Sequence, residues 1–441
     1  MIEIFSIYAQ LIIFIIIFQF PLNKLILSKF GLLNFSYFEI LIYNIILNSL
    51  FYLIISFLSF NLKFYFFFQI IFGSLFFTIN FLNFVKNSKN ILNDQNILII
   101  IFLLLNIILF SSIALNLKIE WDGLAHWIQK AQIYFQNGTY SELKDVSFAY
   151  YPHFGSFLWG YFWNNSILQV EYLGRLILPF LYLSGIFYSV SNLYKKENYL
   201  LKILIILLIF TLTLDYYLFG GYQDYHIFFQ LLIFSKIFHD YQKIKNSKFL
   251  FTLLYIVTIL ILWTKQEGFF YNLILTSIFI IFCNKDKKTK FIFALFVFIS
   301  IIIQISLKNI YIGSFEFNEE IFHKDLLRYL NIINIFDTFF LISKHIIISM
   351  LRYPIWILIL LAIFFFKIFD KKNSLPNYSL FYLLIFFGFV YAIYFQTRLS
   401  LPFLLPITID RILLQGSGFM VYPVLLCLQK LLENKFSKFK I

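Results

Sequence analysis

Charge is scarce in this chain. Only 13% of its 441 residues are Asp, Glu, Lys or Arg, about half the share in soluble domains, and a water-soluble globular class is excluded. Cysteine is scarcer still. Cys283 and Cys427 are the only two, which leaves no disulfide framework to read. The first residues, MIEIFSIYAQLIIFIII, lack a basic start and a small-residue cleavage site, so they are read as a retained first helix. No internal repeat, GxGxxG, P-loop or HExxH occurs, and neither a cytosolic nucleotide site nor a nucleic-acid partner is expected. Arginine is rare too. Of 35 basic residues only Arg175, Arg328, Arg352, Arg398 and Arg411 are arginines.

What fills the chain is hydrocarbon. Hydrophobic residues make up 61% of it, with 63 Phe and 30 Tyr. Apolar runs recur at roughly 20 residues, the length needed to cross a bilayer core of about 30 Å at 1.5 Å per residue. The reading is an all-α polytopic membrane protein. Spans are expected at 4–20, 38–59, 64–84, 96–115, 172–193, 199–218, 226–242, 249–264, 267–283, 291–307, 346–367, 378–396 and 413–430. The stretch YYPHFGSFLWGYFW is read as a short re-entrant or interfacial helix. The Phe, Ile, Asn and Lys bias points to an A/T-rich bacterial genome, and hence to a bacterial plasma membrane.

Lysine clusters mark the cytoplasmic ends of spans. Lys24/Lys29, Lys86/Lys89, Lys195/Lys196, Lys243/Lys245/Lys248, Lys285 to Lys290, Lys367 to Lys372 and Lys435 to Lys440 alternate with the spans if the N-terminus lies outside. The net charge of +13 is therefore mostly topology signal. All five arginines fall on or near the opposite, outer side, together with most acids and five of six histidines. The one-domain layout is an N-terminal portion 1–115, a first outer loop 116–171, core helices 172–307, a second outer loop 308–345 and C-terminal helices 346–441.

Ionisable groups at membrane depth are costly and usually functional. Four outer stretches concentrate them. In IEWDGLAHWIQKAQIYF, Leu124, Trp127/Ile128, Ala131 and Tyr134/Phe135 form a helical apolar stripe. Asp122, His126 and Lys130 fall at i, i+4, i+8 on another face, beside Glu120. This helix is expected to lie flat at the interface with its Trp side chains at headgroup level. GGYQDYHIFF places Tyr222, Asp224 and His226 where a helix re-enters the bilayer. LWTKQEGFFY puts Lys265 and Glu267 in a tight turn. In YFQTRLSLPFLLPITIDRILL, Arg398, Asp410 and Arg411 bracket a Pro-rich outer loop over 397–412. Loop 308–345 carries EFNEEIFHKDLLRYL and is expected to hold a further surface helix.

These pieces, with EYLGRLILPFL and DRILLQGSGFMVYP, resemble in order the multi-span glycosyltransferases of the GT-C fold. Those include protein O-mannosyltransferases, the aminoarabinose transferase of lipid A and lipopolysaccharide-core glycosyltransferases. His153 stands where a second proline is common, and about four spans precede the first acidic loop where many members have one. The resemblance implies a GT-C-like bundle of about thirteen helices with its active site on the extracytoplasmic face. The implied donor is a polyprenyl-phosphate-linked sugar, and the acceptor a lipid, glycan or protein. Asp122 matches the family's first-loop catalytic acid and Asp224 its second acidic position.

On that basis Asp122 is the expected base, with Glu120 and Asp224 as alternates. Lys265, Arg398 and Arg411 are expected on the donor phosphate. His126, Lys130, Tyr151, His153, Tyr222, His226, Glu267 and Asp410 are expected on substrate. Transfer would invert the anomeric carbon without an obligatory metal, although Asp122, Asp224 and His226 could hold a divalent ion such as Mg or Mn. The polyprenyl tail needs an apolar groove, which 226–242 and 378–396 could line. Two other classes remain open: an O-antigen ligase or polymerase, and a flippase or transporter of lipid-linked sugars.

Overall fold

The computed structural model describes residues 2–23, 26–27, 36–87, 94–193, 199–244, 247–313, 332–364, 377–396 and 400–438. Among them no residue is in a β-strand. The helices are α1 (Ile2–Ile17), α2 (Tyr37–Ile55), α3 (Leu62–Asn87), α4 (Asp94–Leu115), α5 (Ile128–Phe135), α6 (Phe154–Asn164), α7 (Glu171–Arg175) and α8 (Ile177–Ser191). They continue with α9 (Tyr199–Thr213), α10 (Asp224–Lys243), α11 (Lys248–Thr264), α12 (Gly268–Phe282), α13 (Lys287–Tyr311), α14 (Ile332–Arg352), α15 (Ile355–Phe364), α16 (Asn377–Gln396) and α17 (Leu401–Lys438).

Seven of these are long and apolar enough to cross a membrane, or eight if α14 and α15, bent by 102° at their junction, make one broken span. The chain is an integral membrane protein. The remaining expected spans are helical but fall short by that measure. α1, α9, α11 and α12 have 15 to 17 residues, so each extends only about 22–26 Å. α10 has 20 residues but carries Lys236, Asp240 and Lys243 in its second half. Phe64, Phe67 and Ile71 on α3 and Phe291 and Phe298 on α13 stay exposed, as side chains bathed in lipid can.

α10 is the hub. It is buried without interruption from Asp224 to Phe238, the pattern of a helix enclosed on every side rather than half-solvated. Its neighbours are α17, α8 and α11. Gly418 lets α17 close on it: a Cβ there would stand 2.4 Å from the Phe228 carbonyl oxygen. Near the C-terminal end of α10, Lys236 pairs with Glu39 at 3.3 Å and Asp240 at 3.2 Å, and lies 4.0 Å from the Tyr188 ring centroid. Glu39 is itself held in the capping box that starts α2, where it accepts from the Ser36 backbone N–H at 2.9 Å.

One expectation is refined and two change. The stretch around 154–164 is a helix of 11 residues, buried apart from Trp163. At about 16 Å it cannot span, and it packs inside the bundle against α5, where Gly160 meets the Ala131 carbonyl. The Pro-rich outer loop is helical from Leu401 onward, with Pro402 in the first turn, where a missing N–H costs nothing, and Pro406 inside the helix; Asp410 and Arg411 therefore sit inside α17. The second outer loop is shortened from both sides, by α13 running to Tyr311 and α14 starting at Ile332. Arg328, Arg398 and all of EFNEEIFHKDLLRYL lie outside the described residues.

Candidate functional site

Two chain arms lead into one end of the bundle. The first runs from α4 through Lys118 and Glu120 to Asp122. The second runs from α9 through Phe219 and Gly221 to Asp224, with Gly221 at φ +84°, a turn conformation that glycine adopts without strain. Arg175, fully buried at the end of α7, clamps them together. Its Nη1 donates to the carbonyls of Lys118 at 2.9 Å and Phe219 at 2.8 Å, and its Nη2 to Leu117 at 3.3 Å. The Glu120 N–H adds a bond to the Gly220 carbonyl at 3.1 Å.

The clamp predicts a measurable loosening. Lysine cannot reproduce a planar fork, and each lost bond from a charged donor is worth roughly 1.5 kcal/mol or more. Arg175→Lys is expected to raise hydrogen exchange in 116–124 and 216–224 about tenfold or more, with the middle of α10 still protected. Unchanged exchange in both arms would show that Arg175 does not hold them.

The arms meet at Arg411. Its Nε donates to Asp224 Oδ2 at 3.1 Å, and its Nη2 to Asp122 Oδ2. The Tyr222 ring centroid lies 4.5 Å from the guanidinium carbon, within range of a cation–π contact. Asp224 has no exposed side-chain surface. Its Oδ1 accepts from Lys265 at 2.9 Å and from Gln415, so both oxygens are taken. Lys265 reaches Glu267 at 3.1 Å as well, and Gln230 fixes the neighbouring Thr264 hydroxyl at 2.8 Å. Among the described residues, the Asp122 side chain bonds only through Oδ2, to Arg411.

A second ionic group adjoins the first. Asp410, next to Arg411 in the chain, accepts from Arg352 and Ser349. Arg352 also pairs with Asp215 at 3.2 Å, and Asp215 accepts from the Tyr353 hydroxyl. The Tyr217 ring centroid lies 5.6 Å from the Arg352 guanidinium and 6.0 Å from that of Arg411.

The fold thus gathers Asp122, Asp224, Tyr222, Lys265, Glu267 and Arg411. It directs Asp410 to Arg352 instead. Glu120 turns to the exposed Lys118 at 2.8 Å. His226 is buried against Phe154 and Phe229. His126 stacks on Tyr151 with centroids 4.8 Å apart. Lys130 and His153 point elsewhere, Lys130 to the Tyr151 carbonyl at 2.8 Å and His153 to the Ser56 hydroxyl at 2.7 Å.

The expected helix is formed over residues 121–135, but with a π-bulge in it. Gly123–Trp127 is a π-turn, Asp122 makes no capping bond, and Trp127 is fully buried while Trp121 is exposed. The divalent-ion option does not fit. The Arg411 guanidinium stands between the two carboxylates, and among the described residues no three His, Cys, Asp or Glu side chains converge on one point. Asp215, Ser349, Arg352, Gln415 and Tyr217 were not singled out as site residues. The usable signals were Asp215 at the end of a span and Arg352 among the few arginines.

The chain matches no family model, no curated protein and no solved structure. The functional reading rests on the residues themselves.

The His126 imidazole gives a pH signature. Burial, opposed by the Asp122 charge, pulls it down from 6.5 to about 4, so it is neutral near pH 7. Above pH 6.5 folded and unfolded chains both leave it uncharged. Between 6.5 and about 4 the unfolded chain takes up a proton that the fold refuses, and stability falls as pH falls through that window. His126→Phe keeps a ring on Tyr151 and is expected to flatten that part of the melting temperature curve between pH 7 and 4.5. Parallel curves for the two proteins would remove His126 from the acid response.

Proposed function

We propose that this protein is a membrane glycosyltransferase of the GT-C kind, with about thirteen spans, in a bacterial plasma membrane. It would transfer a sugar from a polyprenyl-phosphate-linked donor to a lipid, glycan or protein acceptor on the extracytoplasmic face. One observation carries the reading: two acids from separate arms share a buried arginine, and among the described residues only Asp122 keeps an oxygen free.

That asymmetry assigns roles. Asp224 is saturated by Arg411, Lys265 and Gln415 and serves as the anchor that fixes the cations. Asp122 is the base. Arginine presents several N–H donors in a fork suited to phosphate. A donor phosphate arriving at Arg411 competes with Asp122 for them, and displacing the carboxylate frees it beside the reacting centre. Donor binding and base release are then one event.

In the transfer step the acceptor hydroxyl gives its proton to Asp122, and its oxygen attacks the anomeric carbon from the face opposite the phosphate. The bond from that carbon to the phosphate oxygen breaks, with inversion. The polyprenyl phosphate leaves with the electron pair, and Arg411 and Lys265 stabilise the charge that grows on it.

The test is single-turnover transfer by purified protein in nanodiscs, with extracted polyprenyl-phosphate sugars as the donor pool. Sugar release from a lipid-linked donor supports the reading. No release by folded protein from any such donor would overturn it in favour of a flippase or transporter.

A further inference from the structure

Arg352 ends α14, at the 102° bend into α15, and the transfer step above gives it no task. Its Nη2 pairs with Asp215 Oδ2 at 3.2 Å and its Nη1 with Asp410. Asp215 holds more than the arginine. It caps the short turn that follows it by accepting from the Tyr216 N–H at 2.5 Å, and the Tyr353 hydroxyl donates to its Oδ2 at 2.5 Å. One carboxylate therefore fixes both the Arg352 fork and the start of the segment that carries Tyr216.

Both groups stay open to the outside. The Arg352 side chain is 40% exposed, while Asp215 and Asp410 beneath it are nearly enclosed. Tyr216 is 44% exposed. Its ring centroid lies 5.5 Å from the Arg352 guanidinium carbon, and that of Tyr217 lies 5.6 Å from the same atom. The two rings are 4.2 Å apart. An exposed tyrosine alone would be an ordinary anchor at the membrane interface. A guanidinium and a carboxylate held against it are more than an anchor needs.

Charge decides what this group can take. One guanidinium faces two carboxylates, so an anion arriving at Arg352 meets Asp215 and Asp410 as well. A neutral hydroxyl meets no such repulsion. It can accept from an arginine N–H and donate to a carboxylate oxygen, and bonds to charged partners are the stronger kind. The face of a tyrosine ring is electron-rich and suits a surface of C–H groups. Hydroxyls beside a C–H face describe a sugar ring.

We propose that Arg352, Asp215 and Tyr216 form a saccharide subsite for a neutral pyranose, with hydroxyls on Arg352 and Asp215 and the ring face on Tyr216. Tyr217, between the Arg352 and Arg411 guanidiniums at 5.6 and 6.0 Å, puts the subsite next to the Arg411 group. Its place in transfer rests on the transferase reading; its binding of sugar does not. The pyranose has two sources, an acceptor glycan and the donor's own sugar.

The experiment is saturation-transfer NMR on the whole protein in nanodiscs. Methyl glucoside, galactoside and mannoside are the probes, and methyl glucuronide is the charged control. Wild type is expected to bind at least one neutral glycoside, and the glucuronide more weakly. Arg352→Lys keeps a cation for both acids but loses the planar fork. Tyr216→Ala removes the platform at an exposed position. Each is expected to weaken binding about tenfold or more, with a melting temperature near that of wild type. No binding of any neutral glycoside, a preference for the glucuronide, or binding that either variant leaves unchanged would overturn the proposal.

A second arm follows transfer from the extracted lipid-linked donors to the glycoside that binds. A KM raised for the glycoside in both variants assigns the subsite to the acceptor. A KM raised for the lipid-linked donor assigns it to the donor's sugar. Glycoside binding by wild type with no sugar released from any donor supports the subsite and counts against the transferase reading alone.

Discussion

Asp122→Asn is expected to lower the rate of sugar transfer by about 10²–10⁴-fold, the usual contribution of a positioned general base, with expression and melting temperature close to wild type. The reason lies in how the side chain is held. Among the described residues, the Asp122 side chain bonds only to Arg411, through Oδ2. An amide can keep that bond through its carbonyl oxygen, so the arm stays in place while the proton acceptor is lost. Single-turnover transfer in nanodiscs measures the first half and thermal unfolding the second. Full transfer by the variant would remove Asp122 from the base role. A collapse in melting temperature would show that its pairing with Arg411 is structural.

Asp224→Ala should do the opposite. This carboxylate is completely buried and holds Lys265, Arg411 and Gln415 at once. Removing it strips two buried cations of the anion they share, leaving Arg411 with Asp122 and Lys265 with the part-exposed Glu267. Breaking a buried pair in this way costs about 3–5 kcal/mol, a large share of a typical stability. The expected result is a protein that melts far lower and loses donor use together. The companion test is Asp224→Ala combined with Lys265→Met. Removing one of the stranded cations should recover part of the loss, because the two sites share a bond and are not additive. A double variant no more stable than Asp224→Ala would show that the damage comes from lost packing rather than from stranded charge.

The polar turns were legible in the sequence because hydrocarbon surrounded them. Asp122, Asp224, Lys265, Glu267 and Arg411 stood out against apolar runs, and the fold brings those five together. What failed was local extrapolation. The i, i+4, i+8 spacing placed Lys130 on one face with Asp122 and His126. The π-turn at Gly123–Trp127 widens one turn to i→i+5 bonding, which rotates everything after it, and Lys130 turns inward to the Tyr151 carbonyl.

Asp410 and Arg411 are chain neighbours, and the sequence placed both at the end of one outer loop. Inside a helix, adjacent residues point about 100° apart, so one faces Arg352 and the other Asp224. Arg352 and Asp215 could not be paired from the sequence, because the bend that brings Arg352 into place depends on the packing of α15 against α17. Helix type and position are written in local periodicity, whereas the partner of a charged side chain is written in tertiary distance.

α10 is tied by ion pairs near both ends, to Lys265 and Arg411 at Asp224 and to Glu39 at Lys236. The two attachments are twelve residues apart, about 18 Å along the axis. A piston stroke or a roll of this helix would have to break both sets of charges inside the bundle in the same movement. The helix is therefore a fixed post. Any opening that admits a long lipid must come from elements such as α3, whose apolar side chains already face outward.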